Sequence, residues 1–160
     1  MKTLILTTGG TLDKVHDTYT ESLVMSDETL LPDLLSIGRT DHPRLETILM
    51  KDSLDMTDDD RALMLKAVID AAEDNIVLTH GTGTMEDTAR FLDGKTGEKT
   101  VVLTGAMRPF SLGKSDAGFN VGGALIACQA LNPGVYGVMN GRVFTARELH
   151  KDTKQGRFDR

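Results

Sequence analysis

The sequence predicts an α/β domain, an open and mostly parallel sheet with helices on both faces in a three-layer, Rossmann-like arrangement. Two observations predict it. Short apolar runs rich in β-branched residues alternate with amphipathic stretches of helix length, the pattern of repeated βαβ units. The runs are also apolar nearly throughout, as strands covered on both faces must be. Right-handed crossovers are implied. Strand order is not readable from such a pattern.

In chain order, Thr3 to Thr8 is the first predicted strand. Residues 13–26 then read as a polar loop carrying Tyr19, long enough to act as a mobile lid. A helix is expected between Ser26 and Ile37, with Pro32 near its first turn, where a missing amide is harmless. Leu45 to Met50 is the second strand. Thr57 to Ala72 is the best-marked helix: Thr57 is a capping residue and Asp58, Asp59 and Asp60 place negative charge on the first turn. Ile76 to Thr79 and Val101 to Thr104 are strands, with a helix from Thr84 to Leu92 between them. The stretch from Asn120 to Leu131 is helical and stops at Asn132-Pro133-Gly134. Val135 to Met139 is the last predicted strand, and residues 156–160 read as a tail.

At 160 residues the chain is expected to be a single domain, 1–160, without a second one. Its 39% hydrophobic content argues against wholesale disorder, and no apolar run is long enough to span a membrane. Met1 to Leu6 runs straight into Thr7-Thr8-Gly9-Gly10 without the features of a signal peptide, so a cytoplasmic location is expected. Cys128 alone permits no internal disulfide and no structural zinc site, and in an Ala-rich helix it reads as a small core residue. The net charge is −6, and no long basic run is present, which argues against a nucleic-acid partner. A small-molecule ligand is the expected partner.

Three predicted strands end in turns rich in glycine and hydroxyls: Thr7-Thr8-Gly9-Gly10-Thr11, Thr79-His80-Gly81-Thr82-Gly83-Thr84 and Thr104-Gly105-Ala106-Met107. Ligands of open α/β sheets gather beyond the carboxyl ends of the strands, and glycine lets the backbone approach them. Each turn taken singly is equally a place for good turn and cap residues. Neither the P-loop nor the dinucleotide glycine pattern is present. A threonine nucleophile is the other possibility that these turns raise. Its hydroxyl needs a base and a place for negative charge to develop, and lysine can be that base when its environment favours the neutral amine. Lys51, Lys66, Lys95, Lys99, Lys114, Lys151 and Lys154 are all nominal candidates; spacing alone does not choose among them.

These same turns resemble the bacterial-type L-asparaginases. Leu6-Thr7-Thr8-Gly9-Gly10-Thr11-Leu12 is similar to the family's first signature, and Leu78 to Ala89, with His80-Gly81-Thr82-Gly83-Thr84-Met85-Glu86, to its second. Thr104 to Pro109 and Ser115 to Asn120 resemble the stretch that follows, and the likeness runs from residue 3 to about 153 in the family's order. The resemblance implies hydrolysis of L-asparagine to L-aspartate and ammonia through a covalent acyl-threonine. It places the nucleophile at Thr11, the tyrosine that activates or positions it at Tyr19, the second catalytic threonine at Thr82 and its paired lysine at Lys151. Ser53 falls on the serine that holds the substrate α-carboxylate. The resemblance also puts Gly10, Gly81 and Gly83 beside the substrate, and it implies no metal or organic cofactor. His80 falls on no catalytic position and reads either as structural or as support behind the site residues.

Two residues depart from the family pattern. Gly83 stands where the family has the aspartate that binds the substrate α-amino group, and Leu54 replaces a glutamine that faces the same group. Weak asparagine binding is the consequence expected, since an unpaired charge in a pocket is costly. Asp55, Asp116 or a carboxylate from a neighbouring subunit are the candidates to compensate. Typical members carry a second domain that adds contacts across a dimer interface, so this chain is expected to complete its site as a homodimer or homotetramer. The alternatives are an inactive protein that binds aspartate or asparagine, and a glutaminase-like component of an amidotransferase.

Overall fold

The computed structural model describes residues 2–158. Along the chain, β1 (Thr3–Gly9) leads through a short hairpin of β2 (Lys14–Asp17) and β3 (Ser22–Met25) to helix α1 (Leu31–Ile37) and β4 (Arg44–Lys51). Helix α2 (Asp58–Asp70), β5 (Asn75–Thr79), α3 (Met85–Leu92), β6 (Thr100–Thr104), α4 (Ala117–Ala130) and β7 (Gly134–Met139) follow. β8 (Arg142–Thr145) returns beside β7, and a small pair, β9 (Lys151–Asp152) and β10 (Arg157–Phe158), ends the described chain. The main sheet has the order β4-β1-β5-β6-β7-β8, parallel except for antiparallel β8 at one edge.

Side-chain alternation along the strands divides the core in two. On one face Leu4, Leu6, Ile76, Leu78, Val101 and Leu103 pack with Met64 and Val68 of α2 and with Met85, Ala89 and Leu92 of α3. On the other, Ile5, Val77 and Val102 pack with Leu31, Leu34 and Leu35 of α1 and with Val121, Ala124 and Cys128 of α4. Neighbouring strand residues thus feed opposite layers, which explains why the sequence runs are apolar without alternation. Each fully buried Leu, Ile or Val contributes about 1.5–3 kcal/mol relative to exposure. The three-layer fold and the buried Cys128 match the sequence expectation.

Local signals account for the helix starts. Thr57 accepts from the Asp60 amide while the Asp60 carboxylate accepts from the Thr57 amide, a reciprocal capping box. Pro32 lies in the first turn of α1, which begins at Leu31 rather than Ser26. Helix α4 begins at Ala117, earlier than predicted. Asp116 precedes it, and its carboxylate accepts from the Met107 and Arg108 amides and from Asn120 Nδ2.

Two expectations are corrected. Residues 13–26 are no simple loop: most of the stretch is the β2–β3 hairpin, paired from Lys14↔Met25 to Asp17↔Ser22. The residues after 155 are no tail over the described part, because Arg157 and Phe158 pair with Asp152 and Lys151 and Phe158 is buried. Residues 159–160 lie outside the described residues.

Candidate active site

The sheet order places a topological switch point between β1 and β5. From β1 the chain crosses to β4 on one side, whereas β5 and the later strands build the other, so the connections after β1 and β5 diverge and leave a crevice at their carboxyl ends. The two glycine- and threonine-rich turns meet there. Gly10 has φ +87°, and a Cβ on it would lie 2.5 Å from the Cα and N of Gly81. A Cβ on Gly81 would in turn lie 2.6 Å from Ser53 Oγ. Gly10 and Gly81 are therefore glycine because three backbone turns pack against one another, with no room for a side chain between them.

Ser53 is the bolt of this junction. Its Oγ accepts from the amides of Gly83 and Thr84, at 3.1 and 3.3 Å, and its carbonyl accepts from Thr84 Oγ1 at 2.7 Å. Asp52 beside it accepts from the Leu54 amide and from Lys14 Nζ at 2.5 Å, which ties the β2–β3 hairpin to the end of β4. That lysine hydrogen bond holds the Asp52 carboxyl below the usual carboxylate range. Ser53 is buried, and its hydroxyl, which accepts from two amides, also carries a proton that it can donate.

On the outer side of the same turn Lys151 Nζ donates to Thr82 Oγ1 at 2.8 Å. The two residues are 69 positions apart in the chain. Lys151 comes from β9, outside the main sheet, and the backbone before it is anchored by Leu149, which is fully buried over Gly137 of β7. A cleft of about 690 Å³ opens here, lined by Leu54, Gly83, Glu86, His150, Lys151, Asp152, Thr153 and Lys154. Thr11 is partly buried in the short turn after β1 and is not among the residues lining this cleft. Asp55 is exposed at the end of the turn that begins with Ser53. Tyr19 stands at the tip of the β2–β3 hairpin, 97% exposed, and does not pack against Thr11. Asp116 is engaged by the amides that cap the 107–108 turn.

Several hydroxyls that the sequence offered for a polar pocket are structural. Thr7, Thr8, Thr79 and Thr104 are fully buried. Thr79 Oγ1 donates to Thr7 Oγ1, Thr7 donates to Asp13, Thr8 donates to the Thr79 carbonyl and Thr104 donates to that of Val138. Burial pushes the Asp13 carboxyl up, against the pull of its bonds from the Leu30 amide, Thr29 and Thr7. His80 is also structural, as expected. Its Nδ1 bonds the Gly81 carbonyl at 2.7 Å and its Nε2 faces Thr88 Oγ1 at 2.8 Å; Thr88 Oγ1 receives Arg61 Nε. A neutral ring that donates at Nδ1 and accepts at Nε2 satisfies both bonds. Burial pushes its pKa down to about 4.

A model of the asparaginase family, described as "Asparaginase, N-terminal", matches residues 2–159. The chain belongs to the asparaginase family. It is 34% identical over 158 residues to a probable periplasmic L-asparaginase of Haemophilus influenzae, covering 92% of this chain and 45% of that protein. It is 32% identical over 160 residues to a component of the glutamyl-tRNA(Gln) amidotransferase of Methanococcus vannielii, covering 94% of this chain and 37% of that one. Among solved structures, the thermostable L-asparaginase from Thermococcus kodakarensis superposes with a TM-score of 0.83 at 30% identity, over 99% of this chain and 51% of that chain. A probable cytoplasmic L-asparaginase from Campylobacter jejuni gives a TM-score of 0.79 at 30% identity, over 94% and 49%. The chain spans about half the length of the curated relatives it matches.

Leu54 and Gly83, the two positions at which the sequence departs from the pattern it resembles, are neighbours. A Cβ on Gly83 would lie 2.8 Å from Leu54 Cδ2, and both residues line the cleft beside Lys151. Sequence reasoning missed Glu86 and His150, which share this wall. Glu86 lay inside the second motif, four residues beyond Thr82 in the first turn of α3, and His150 directly precedes Lys151. Among the described residues no group of three or more His, Cys, Asp or Glu is placed to hold a metal ion, and no helix is long and apolar enough to cross a membrane.

Proposed function

We propose that this protein is an amidohydrolase that converts L-asparagine to L-aspartate and ammonia through an acyl-threonine intermediate. The observation that carries the reading is the Lys151–Thr82 hydrogen bond at the switch-point turn of an asparaginase-family chain. Lysine and threonine in contact form a proton-transfer pair. When the amine is neutral the bond reverses, so that the hydroxyl donates and the amine takes the proton. In the first step the nucleophile Oγ bonds the side-chain carboxamide carbon. The C–N bond breaks, and the departing nitrogen leaves as ammonia with the proton taken from the nucleophile. In the second step water attacks the ester, releases aspartate and returns a proton to the threonine.

Thr11 is the proposed nucleophile, Thr82 with Lys151 the proton-transfer pair, and the Ser53 hydroxyl the donor to the substrate carboxylate. Tyr19 serves Thr11 only when the hairpin tip folds inward, a motion of the kind that closes many active sites. Gly83 and Leu54 offer no charge to the substrate ammonium, so asparagine binds weakly. The chain is proposed to act as a homodimer or homotetramer, which sedimentation measures directly.

The test is ammonia release from asparagine and glutamine by the unaltered chain and by Thr11→Ala and Thr82→Ala. Both substitutions lower turnover by at least about a hundredfold. Undiminished release in Thr11→Ala overturns the nucleophile assignment, and tight asparagine or aspartate binding without release by the unaltered chain favours a binding protein instead.

A further inference from the structure

Lys151 reaches Thr82 from a short strand pair outside the main sheet, so something local must set its register. The candidate is Glu86, in the first turn of α3, immediately after the Thr82–Thr84 turn. One carboxylate oxygen, Oε2, accepts from the Lys151 backbone amide at 3.2 Å and faces His150 Nδ1 at 2.9 Å. The other, Oε1, lies 3.7 Å from the Arg90 guanidinium one turn along the same helix. Glu86 thus grips the backbone that carries Lys151, while its own backbone is continuous with the turn that carries Thr82.

We propose that Glu86 is a positioning residue for the proton-transfer pair: it latches the 150–151 segment onto the start of α3 and so aims the Lys151 ammonium at Thr82 Oγ1. The inference rests on the amidohydrolase reading for its kinetic consequence, but not for the latch itself. The physical reason is leverage. Lysine has a long, flexible side chain, and holding its main chain at one point removes much of the freedom that would spread the Nζ over many positions. His150 strengthens the grip as a second donor to the same oxygen. Glu86 touches neither Thr82 Oγ1 nor Lys151 Nζ, so it acts only through the backbone it holds.

The experiment compares Glu86→Ala and Glu86→Gln with the unaltered chain, by amide-resolved hydrogen exchange and by steady-state ammonia release. Glutamine keeps a carbonyl oxygen for the Lys151 amide, whereas alanine keeps no acceptor. Glu86→Ala is expected to speed exchange of the Lys151 amide by at least about tenfold, and to lower kcat by about tenfold or more with KM within about twofold. Glu86→Gln is expected to recover most of both. Unchanged Lys151 exchange in Glu86→Ala overturns the latch. So does faster exchange with kcat unchanged, because the aim of Lys151 would not then depend on it. If the unaltered chain releases no ammonia, the amidohydrolase reading fails by itself, and the exchange comparison still decides whether Glu86 holds the segment.

Discussion

Between about pH 7 and pH 4.5, acid should weaken this fold chiefly through His80. The ring is fully buried, and burial pushes its pKa from 6.5 to about 4. Below pH 6.5 the unfolded chain binds a proton at this position that the folded chain refuses until the pH nears 4. Stability is therefore lost as the pH falls through that window and is fully present above it. The gap corresponds to about 3 kcal/mol, of which about 2 kcal/mol is lost between about pH 7 and pH 4.5. Asp13 acts in the opposite sense, because its raised carboxyl takes up a proton more readily in the folded state. Its contribution cancels when the chain is compared with His80→Gln, which keeps Asp13 and carries no titrating ring. Asp52, Asp60 and Glu73 are held below their ordinary values, so they act mainly at lower pH. The assay is urea denaturation of both proteins across that same pH range. His80→Gln starts less stable, having lost its fit between Thr88 and Gly81, but its stability falls by about 2 kcal/mol less over the range. Parallel curves for the two proteins, or a folded-state imidazole that titrates at its ordinary value by NMR, would show that burial does not keep this ring neutral.

Three further outcomes follow from the site geometry. Gly10→Ala puts a Cβ against the Gly81 backbone at 2.5 Å with φ at +87°, so the turns must separate; a loss above about 2 kcal/mol by denaturation is expected, with ammonia release abolished. Gly83→Asp places its Cβ 2.8 Å from the exposed tip of Leu54, which can swing away, and 3.1 Å from the buried Ser53 Oγ, which must give by a few tenths of an ångström, so a loss of about 1–2 kcal/mol is expected. The KM for asparagine falls in that variant, and further in a Leu54→Gln background, as a double-mutant cycle measures. Leu149→Ala empties the fully buried space above Gly137, costs about 2–5 kcal/mol in thermal or urea unfolding, and loosens the segment that carries Lys151.

The layered fold was legible because it rests on local pattern. Leu4, Ile5 and Leu6 are apolar in a row, and only a strand covered on both faces buries all three. Thr57 and Asp60 signal a helix start through bonds made within one turn of chain. The β2–β3 hairpin is silent in sequence because its strands are four residues long and bury no side chain fully, so Lys14, His16 and Asp17 leave no apolar alternation to read. Antiparallel β8, at an edge with only Phe144 fully buried, is silent for the same reason.

The amino-acid order alone established the class of fold and, through the resemblance of its motifs, the family to which the chain belongs; it also offered the turns in which candidate site residues lie. Which of those residues meet was settled in three dimensions. Thr7, Thr8, Thr79 and Thr104 look as promising in sequence as Thr82, yet they are consumed in bonds between neighbouring strands. Thr82 meets Lys151 across 69 residues, and Glu86 meets His150 and Lys151 across 64 and 65. Strand order and the packing of a terminal strand pair bring these groups together, and both depend on contacts among segments far apart in the chain, for which local periodicity carries no signal.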